Sequence, residues 1–347
     1  MLAGAAAVAA LFAATPFLLP SVAEDLQLPI GVTGLLSTTQ VGSFAVAAFL
    51  AGRLLRPRRR LHYGGLLLVA VASVGAGLAT NFATLLAALF LTGIGLGTLT
   101  WIAWADATRF PRGIGDIAAI APVTAAIASP PLAWLTQLGG YRAVYLTLAA
   151  VSLAAMFLRV DFGDLPRVGR QVSDSNSNRA LLIALGVLSV GGSGVFIFVA
   201  ATAASVQGLS PVAMSWAISI NAIAGVVATR LPAKRGTAGW WLVVCVVPTL
   251  VIGLLSSSLV FFMAMILWGF AWWMAIPAIF VMLAERSLIP SERVGDAQAV
   301  MAVGRVLGPV IGGLALGVGN YGRLSMVGAV FTAVAALIVL AVDHNRV

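Results

Sequence analysis

The sequence predicts an all-α polytopic membrane protein with twelve transmembrane helices in two pseudo-symmetric six-helix bundles. Three observations predict it. Of the 347 residues 61% are hydrophobic and only 9% charged. With a mean hydropathy of +1.05, that leaves too little polar surface to cover a soluble globule of this length. Apolar runs able to cross a ~30 Å hydrocarbon core recur between short polar breaks. Landmarks of the first half also return in the second at a nearly constant offset.

The first run, 2–22, is rich in alanine and lacks the basic segment that opens a secretory signal. Pro16 and Pro20 inside it read as kinks, which spans tolerate where neighbouring helices cover the freed carbonyls. Glu24 and Asp25 mark the first turn. Runs at 30–52, 61–80, 82–105, 114–138 and 143–159 complete six spans. The stretch 161–178, DFGDLPRVGRQVSDSNSN, is the only long polar segment and reads as a flexible linker. Six more runs follow at 180–206, 212–229, 238–255, 259–284, 294–318 and 324–342. The expected division is therefore 1–160 as one bundle, 161–179 as the linker and 180–347 as the second bundle.

Charge orients these spans. Of the 20 lysines and arginines, seventeen fall on the linker side, in groups beginning at Arg53, Arg109, Arg159, Arg230 and Arg286 and at Arg346, while only Arg142 and Arg323 fall on the other. Positive charge stays inside, so the linker and both termini are expected in the cytoplasm of a multi-pass protein of the plasma (inner) membrane. The net charge of +9 reports topology, and no nucleic-acid partner is expected. The single cysteine, Cys245, lies in an apolar run and excludes both a disulfide framework and a cysteine metal site.

The two halves look like copies. Gly115 and Asp116 recur as Gly295 and Asp296, and Tyr141 as Tyr321, each 180 residues on. Asp106 and Pro111 match Glu285 and Pro290, while Arg53 and Leu54 match Arg230 and Leu231. Ordered recurrence at near-constant spacing is the signature of parallel repeats.

The segments TPFLLPSVAEDLQLPIGVTGLLSTTQVGSFAVAAFLAGRL and GGSGVFIFVAATAASVQGLS carry a further signal. The first resembles the opening two spans, and the second the seventh, of the major facilitator superfamily, more narrowly its drug-efflux and sugar-efflux antiporters. That resemblance covers nearly the whole chain. It implies twelve helices in two six-helix domains, with a central cavity lined chiefly by the first and fourth helices of each half. The family's G-x-L-x-D-R-x-G-R-R motif stands here as Gly52 to Arg60, with Arg56 at the aspartate position. Its fourth-helix arginine falls at Leu89. Its G-x-x-x-G-P-x-x-G-G signature is absent from the fifth span and present in the eleventh, as Gly304, Gly308, Pro309, Gly312 and Gly313.

Arg305 is the outstanding candidate site residue. Counted from Val294 it lies roughly 16 Å into its span at ~1.5 Å per residue, near the midplane of a ~30 Å core. An ionised guanidinium there must face protein or a watery cavity. One reading gives it an anionic part of a solute, since a planar fork of donors suits a carboxylate or phosphate. The other gives it a local task, donating to carbonyls around Pro309 or to Asn221. Gln40 and Asn221 also fall near the midplane, either as solute contacts or as hydrogen-bonding glue between helices. Trp268 and Trp272, four residues apart, share one side of their helix and could stack on an organic solute or simply pack.

The glycine and proline cluster from Gly304 to Gly313 reads either as a bending gate or as a close-packing surface. Arg53, Asp106, Arg109 and Asp116 in the first half, and Arg230, Glu285 and Asp296 in the second, surround cytoplasmic helix ends. They form either a charged latch or solvated loop charge.

The sequence contains no metal-ligand cluster, no nucleophile beside a base and no phosphate-binding loop, so neither an enzyme nor a cofactor is expected. The expected function is a secondary transporter that moves a small organic, anionic solute by alternating access, with efflux favoured by the resemblance. The alternative is a non-transporting membrane subunit that uses the same fold as a docking platform. A monomer in the lipid bilayer is expected, with a membrane partner subunit under the alternative. With no carboxylate at the midplane, proton coupling is expected to be weak.

Overall fold

The computed structural model describes residues 2–55, 58–107, 113–158, 176–231, 237–286 and 290–344, with some side chains at helix ends outside that description. The described residues form twelve α-helices and no strand. The first five are α1 (Leu2–Asp25), α2 (Ile30–Leu54), α3 (Arg59–Gly77), α4 (Phe82–Ala107) and α5 (Gly113–Ala155). Next come α6 (Asn176–Ile197), α7 (Val199–Gln207), α8 (Pro211–Arg230) and α9 (Ala238–Leu254). The last three are α10 (Ser258–Glu285), α11 (Pro290–Leu316) and α12 (Tyr321–His344). Among the described residues nine helices are long and apolar enough to cross a membrane.

The twelve helices are not the twelve expected runs one for one. The fifth and sixth runs lie within α5, whose path breaks at Gly139 and Gly140. Gly140 takes φ 61° and ψ −162°, a region essentially closed to residues with a Cβ. The apolar part of α5, Ile120–Ala155, is 36 residues long, about 54 Å at 1.5 Å per residue, and the break divides it into two crossings. The seventh run is also divided, into α6 and α7, at the fully buried Phe198, whose φ −100° and ψ 7° leave the helical region. Of the expected linker, 161–175 lies outside the described residues, while Asn176 already opens α6.

The chain forms two compact units, one of Met1–Leu28 and Leu35–Arg167, the other of Pro29–Gly34 and Val168–Val347. In the first, α1 packs along α5, and α3 packs on α4 and α5. Several of its inter-helix ties lie where α5 breaks. The Tyr141 backbone N–H donates to the Ser21 hydroxyl at 2.9 Å, and the Tyr141 hydroxyl donates to the Ala79 carbonyl at 3.1 Å. Arg142 pairs with Asp25 at 2.8 Å while its guanidinium lies 5.3 Å from the Tyr141 ring centre. The broken helix is thereby pinned to the C-terminal ends of α1 and α3.

In the second unit α6 packs on α11 and α12, α9 on α12 and α10, and α8 on α10. A core of Leu181, Leu185, Ile279, Leu283, Met301 and Val339 fills the space between them. The equivalent break, between α11 and α12, carries φ 53° at Gly317 and φ 102° at Gly319. There Arg323 donates to the Ala315 and Leu314 carbonyls and so caps the end of α11. Ser210 caps α8 by accepting from the Ala213 N–H at 3.2 Å, with Pro211 at the first helical position.

Candidate functional site

Arg305 lies in the apolar span Ala299–Leu316 of α11, about 9 Å from one end and about 16 Å from the other at 1.5 Å per residue. Its side chain is exposed. At ~100° per residue it leaves the helix about 180° away from the exposed apolar stripe of Val303, Leu307 and Leu314. The cation therefore occupies the side of α11 opposite the one fit to face lipid. No hydrogen bond or ion pair from a described residue reaches its guanidinium. The local reading, donation to Asn221 or to carbonyls near Pro309, has no support in this geometry.

Asn221 is engaged elsewhere. Its Nδ2 donates to the Met265 carbonyl of α10 at 2.8 Å, a bond that ties α8 to α10. Gln40 contrasts with it. Gly93 in α4 and Gly269 in α10, 176 residues apart, each lie against a backbone carbonyl of the partner helix, that of Gln40 and that of Asn221. At the second crossing the amide side chain bonds across. At the first, Gln40 is 2% exposed and its Nε2 has no partner among the described residues. A made interhelical bond contributes about 0.6 kcal/mol in membrane proteins, whereas an unmade buried one carries a desolvation penalty of about 1–3 kcal/mol. Asn221→Leu is therefore expected to lower the thermal midpoint of the purified protein, and Gln40→Met to leave it unchanged or raise it. Melting curves of the two variants in one detergent check both signs.

Trp268 and Trp272 do share one side of α10, and that side meets α6. Trp268 is 4% exposed and sits edge-on to Phe196, centroids 5.9 Å apart. Trp272 lies over Gly192, where an added Cβ would come within 2.6 Å of its ring. Trp273 fits against Gly225 of α8 in the same manner. Sequence reading missed these glycine–tryptophan pairs. The available signal was a glycine in one apolar run and an indole in another, with nothing in the order of residues to match them.

The glycines of α11 form a packing surface. A Cβ on Gly304 would lie 2.6 Å from the Gly186 carbonyl oxygen, and one on Gly312 the same distance from that of Gly194. Gly308 is held between Val190 and Gly194. On the adjoining side, the Pro309 and Gly313 carbonyls approach Gly34 and Gly31 to 2.7 Å of the Cβ each would carry. Backbones this close are the geometry that small residues permit in membrane helices.

The charged clusters fall largely outside the description. Arg109 is among the undescribed residues, as are the side chains of Arg53, Asp106, Asp116 and Glu285. Arg230 is exposed in the last turn of α8, and Asp296 is half-buried in α11. Near them Arg286 donates to the Val342 carbonyl at 3.3 Å, and Asn178 donates to the Arg286 carbonyl at 3.2 Å, joining the ends of α6, α10 and α12. No cluster of three potential metal ligands occurs among the described residues.

The same helical arrangement recurs in solved transporters. A bacterial homologue of the human lysosomal transporter Spinster, in an inward-facing and occupied conformation, superposes with a TM-score of 0.74 at 16% identity, covering 99% of this chain and 96% of that one. A POT family transporter in complex with a thioalcohol-conjugated peptide gives 0.73 at 12% identity, with 99% and 95% covered. The human organic anion transporter MFSD10 (TETRAN) gives 0.67 at 14% identity, with 97% of each chain covered. No curated protein matches the sequence. The model of the Major Facilitator Superfamily matches residues 1–313, nearly the whole chain, and the protein belongs to that family of multi-pass membrane transporters.

Proposed function

We propose that this protein is a secondary transporter that carries a small organic anion by alternating access, outward across the plasma (inner) membrane. Arg305 is the observation that carries the reading: an exposed cation within an apolar span, turned from the apolar stripe, with no protein partner among the described residues. Such a charge is tolerated in a membrane where it meets water or a counter-ion, and a carboxylate or phosphate on the solute supplies the counter-ion. The name of MFSD10 as an organic anion transporter agrees with this, although at 14% identity that likeness speaks to fold alone. Efflux rests on the resemblance of the first, second and seventh spans to drug and sugar exporters.

Purified protein in liposomes is expected to give saturable counterflow of a labelled organic anion. A stoichiometric membrane partner that copurifies, with no counterflow in its presence or absence, would overturn the transporter reading in favour of a docking platform.

The termini and the linker are proposed to be cytoplasmic, on the strength of the seventeen-to-two distribution of basic residues. Single cysteines at Ser175 and Asn320, in a background without Cys245, are expected to label from the cytoplasm and from outside respectively. The reverse pattern would invert the topology.

A further inference from the structure

Within the second unit, where α8 ends and α10 continues past it, lies a cavity of about 200 Å³ lined by Ala228, Thr229, Leu231, Trp273, Met274 and Pro277. We propose that it is a binding site for a small aromatic ring bearing one hydrogen-bond donor, of the phenol or aryl-amine class. The inference stands on the cavity alone and holds whether or not the ligand is carried across the membrane.

Size sets the first limit. An apolar cavity of about 150 Å³ holds a benzene ring, so this one admits a ring with one small substituent and little more. The walls set the second. Trp273 offers an indole and Met274 a thioether, both of which favour the faces and edges of aromatic rings. Trp273 turns its pyrrole edge, with its N–H, against Gly225 and also lines the cavity.

Hydrogen-bonding capacity sets the third limit. The Thr229 hydroxyl donates to the Val226 carbonyl at 2.7 Å, so only its lone pairs remain free. The Leu231 N–H donates to the Ala228 carbonyl at 3.1 Å. Pro277 lies inside α10 and has no N–H, so the Trp273 carbonyl lacks the donor that a residue four positions on would supply. These walls therefore present acceptors at Thr229 and Trp273, the Leu231 N–H is engaged, and the Trp273 indole N–H has no hydrogen-bond partner among the described residues. A bare hydrocarbon leaves all of these groups unmet, and a carboxylate, lacking a donor, can meet only the indole N–H. A ring carrying O–H or N–H satisfies at least one.

Phenol and toluene, nearly the same in shape, test this by ligand-detected NMR on the full chain in lipid nanodiscs. Phenol is expected to bind saturably and toluene at least five-fold more weakly. Thr229→Val, at an exposed position, is expected to cut that preference to less than half while leaving the melting curve in place. Ala228→Met, which fills the cavity, is expected to abolish binding of both. If that variant fails to fold, the Thr229→Val result decides. Equal binding of phenol and toluene, or a preference unchanged by Thr229→Val, would overturn the proposal. So would quenching of Trp273 by bromine-labelled lipid chains that phenol does not displace, which would assign the cavity to an acyl chain.

Discussion

Arg305→Gln is expected to weaken binding of the anionic solute about 10- to 100-fold while leaving the protein folded, and Arg305→Lys to fall between the two. The magnitude follows from hydrogen bonds to charged groups, worth about 1.5–3 kcal/mol each, or roughly one to two powers of ten in affinity. Lysine keeps the charge and loses the planar fork, so it retains the electrostatic part of the interaction without its two-pronged geometry. Folding should survive because no described residue depends on this guanidinium for a hydrogen bond or an ion pair. Equilibrium binding and counterflow of the same anion, measured beside melting curves, separate the two effects. Normal affinity in both variants, or loss of fold without a separable binding defect, would remove Arg305 from the site. A neutral analogue of the solute supplies the internal control, since its affinity should not distinguish arginine from glutamine.

That Arg305 stands within an apolar helix was legible because it depends on one helix alone: hydropathy gives the span, and a fixed turn per residue sets its side chain opposite the apolar stripe. The pairing of Tyr141 with Tyr321 was legible for a similar reason, and both residues stand just beyond a glycine break. The breaks themselves were less so. Pro16 and Pro20 lie inside α1, which continues through both, as a span with covered carbonyls allows. Phe198, with neither proline nor glycine at its position, interrupts its helix.

What sequence could not supply is which helix each face meets. Periodicity puts Trp268 and Trp272 on one side of α10, but only the fold shows that α6 lies there, with Phe196 and Gly192 to receive them. Likewise nothing in the residues near Asn221 indicates that Met265, 44 positions on, takes its amide hydrogen. The two amides weighed together from sequence thus have different surroundings. One is bonded across a helix crossing, and the other is buried without a described partner.

Gly308→Ala is expected to destabilise the second unit by about 1–3 kcal/mol, the cost of forcing one extra methyl group into a filled interface. The added Cβ would stand 2.7 Å from the Val190 carbonyl oxygen and 2.9 Å from the Gly194 nitrogen. The Ser193 hydroxyl, nearer still, can rotate aside, but these two are backbone atoms of α6 and cannot, so the two helices must separate. Gly64→Ala in α3 is the matched control, because a Cβ there meets nothing within 4 Å. In a helix that substitution is neutral or favourable by up to about 1 kcal/mol. Melting curves should therefore move down for Gly308→Ala and stay or move up for Gly64→Ala. The same pair distinguishes packing from gating in α11. A packing residue loses stability and transport together, whereas a gating residue keeps its melting temperature while counterflow slows. An unchanged melt with slowed counterflow in Gly308→Ala would favour the gate over the close contact with α6 as the reason for glycine at this position.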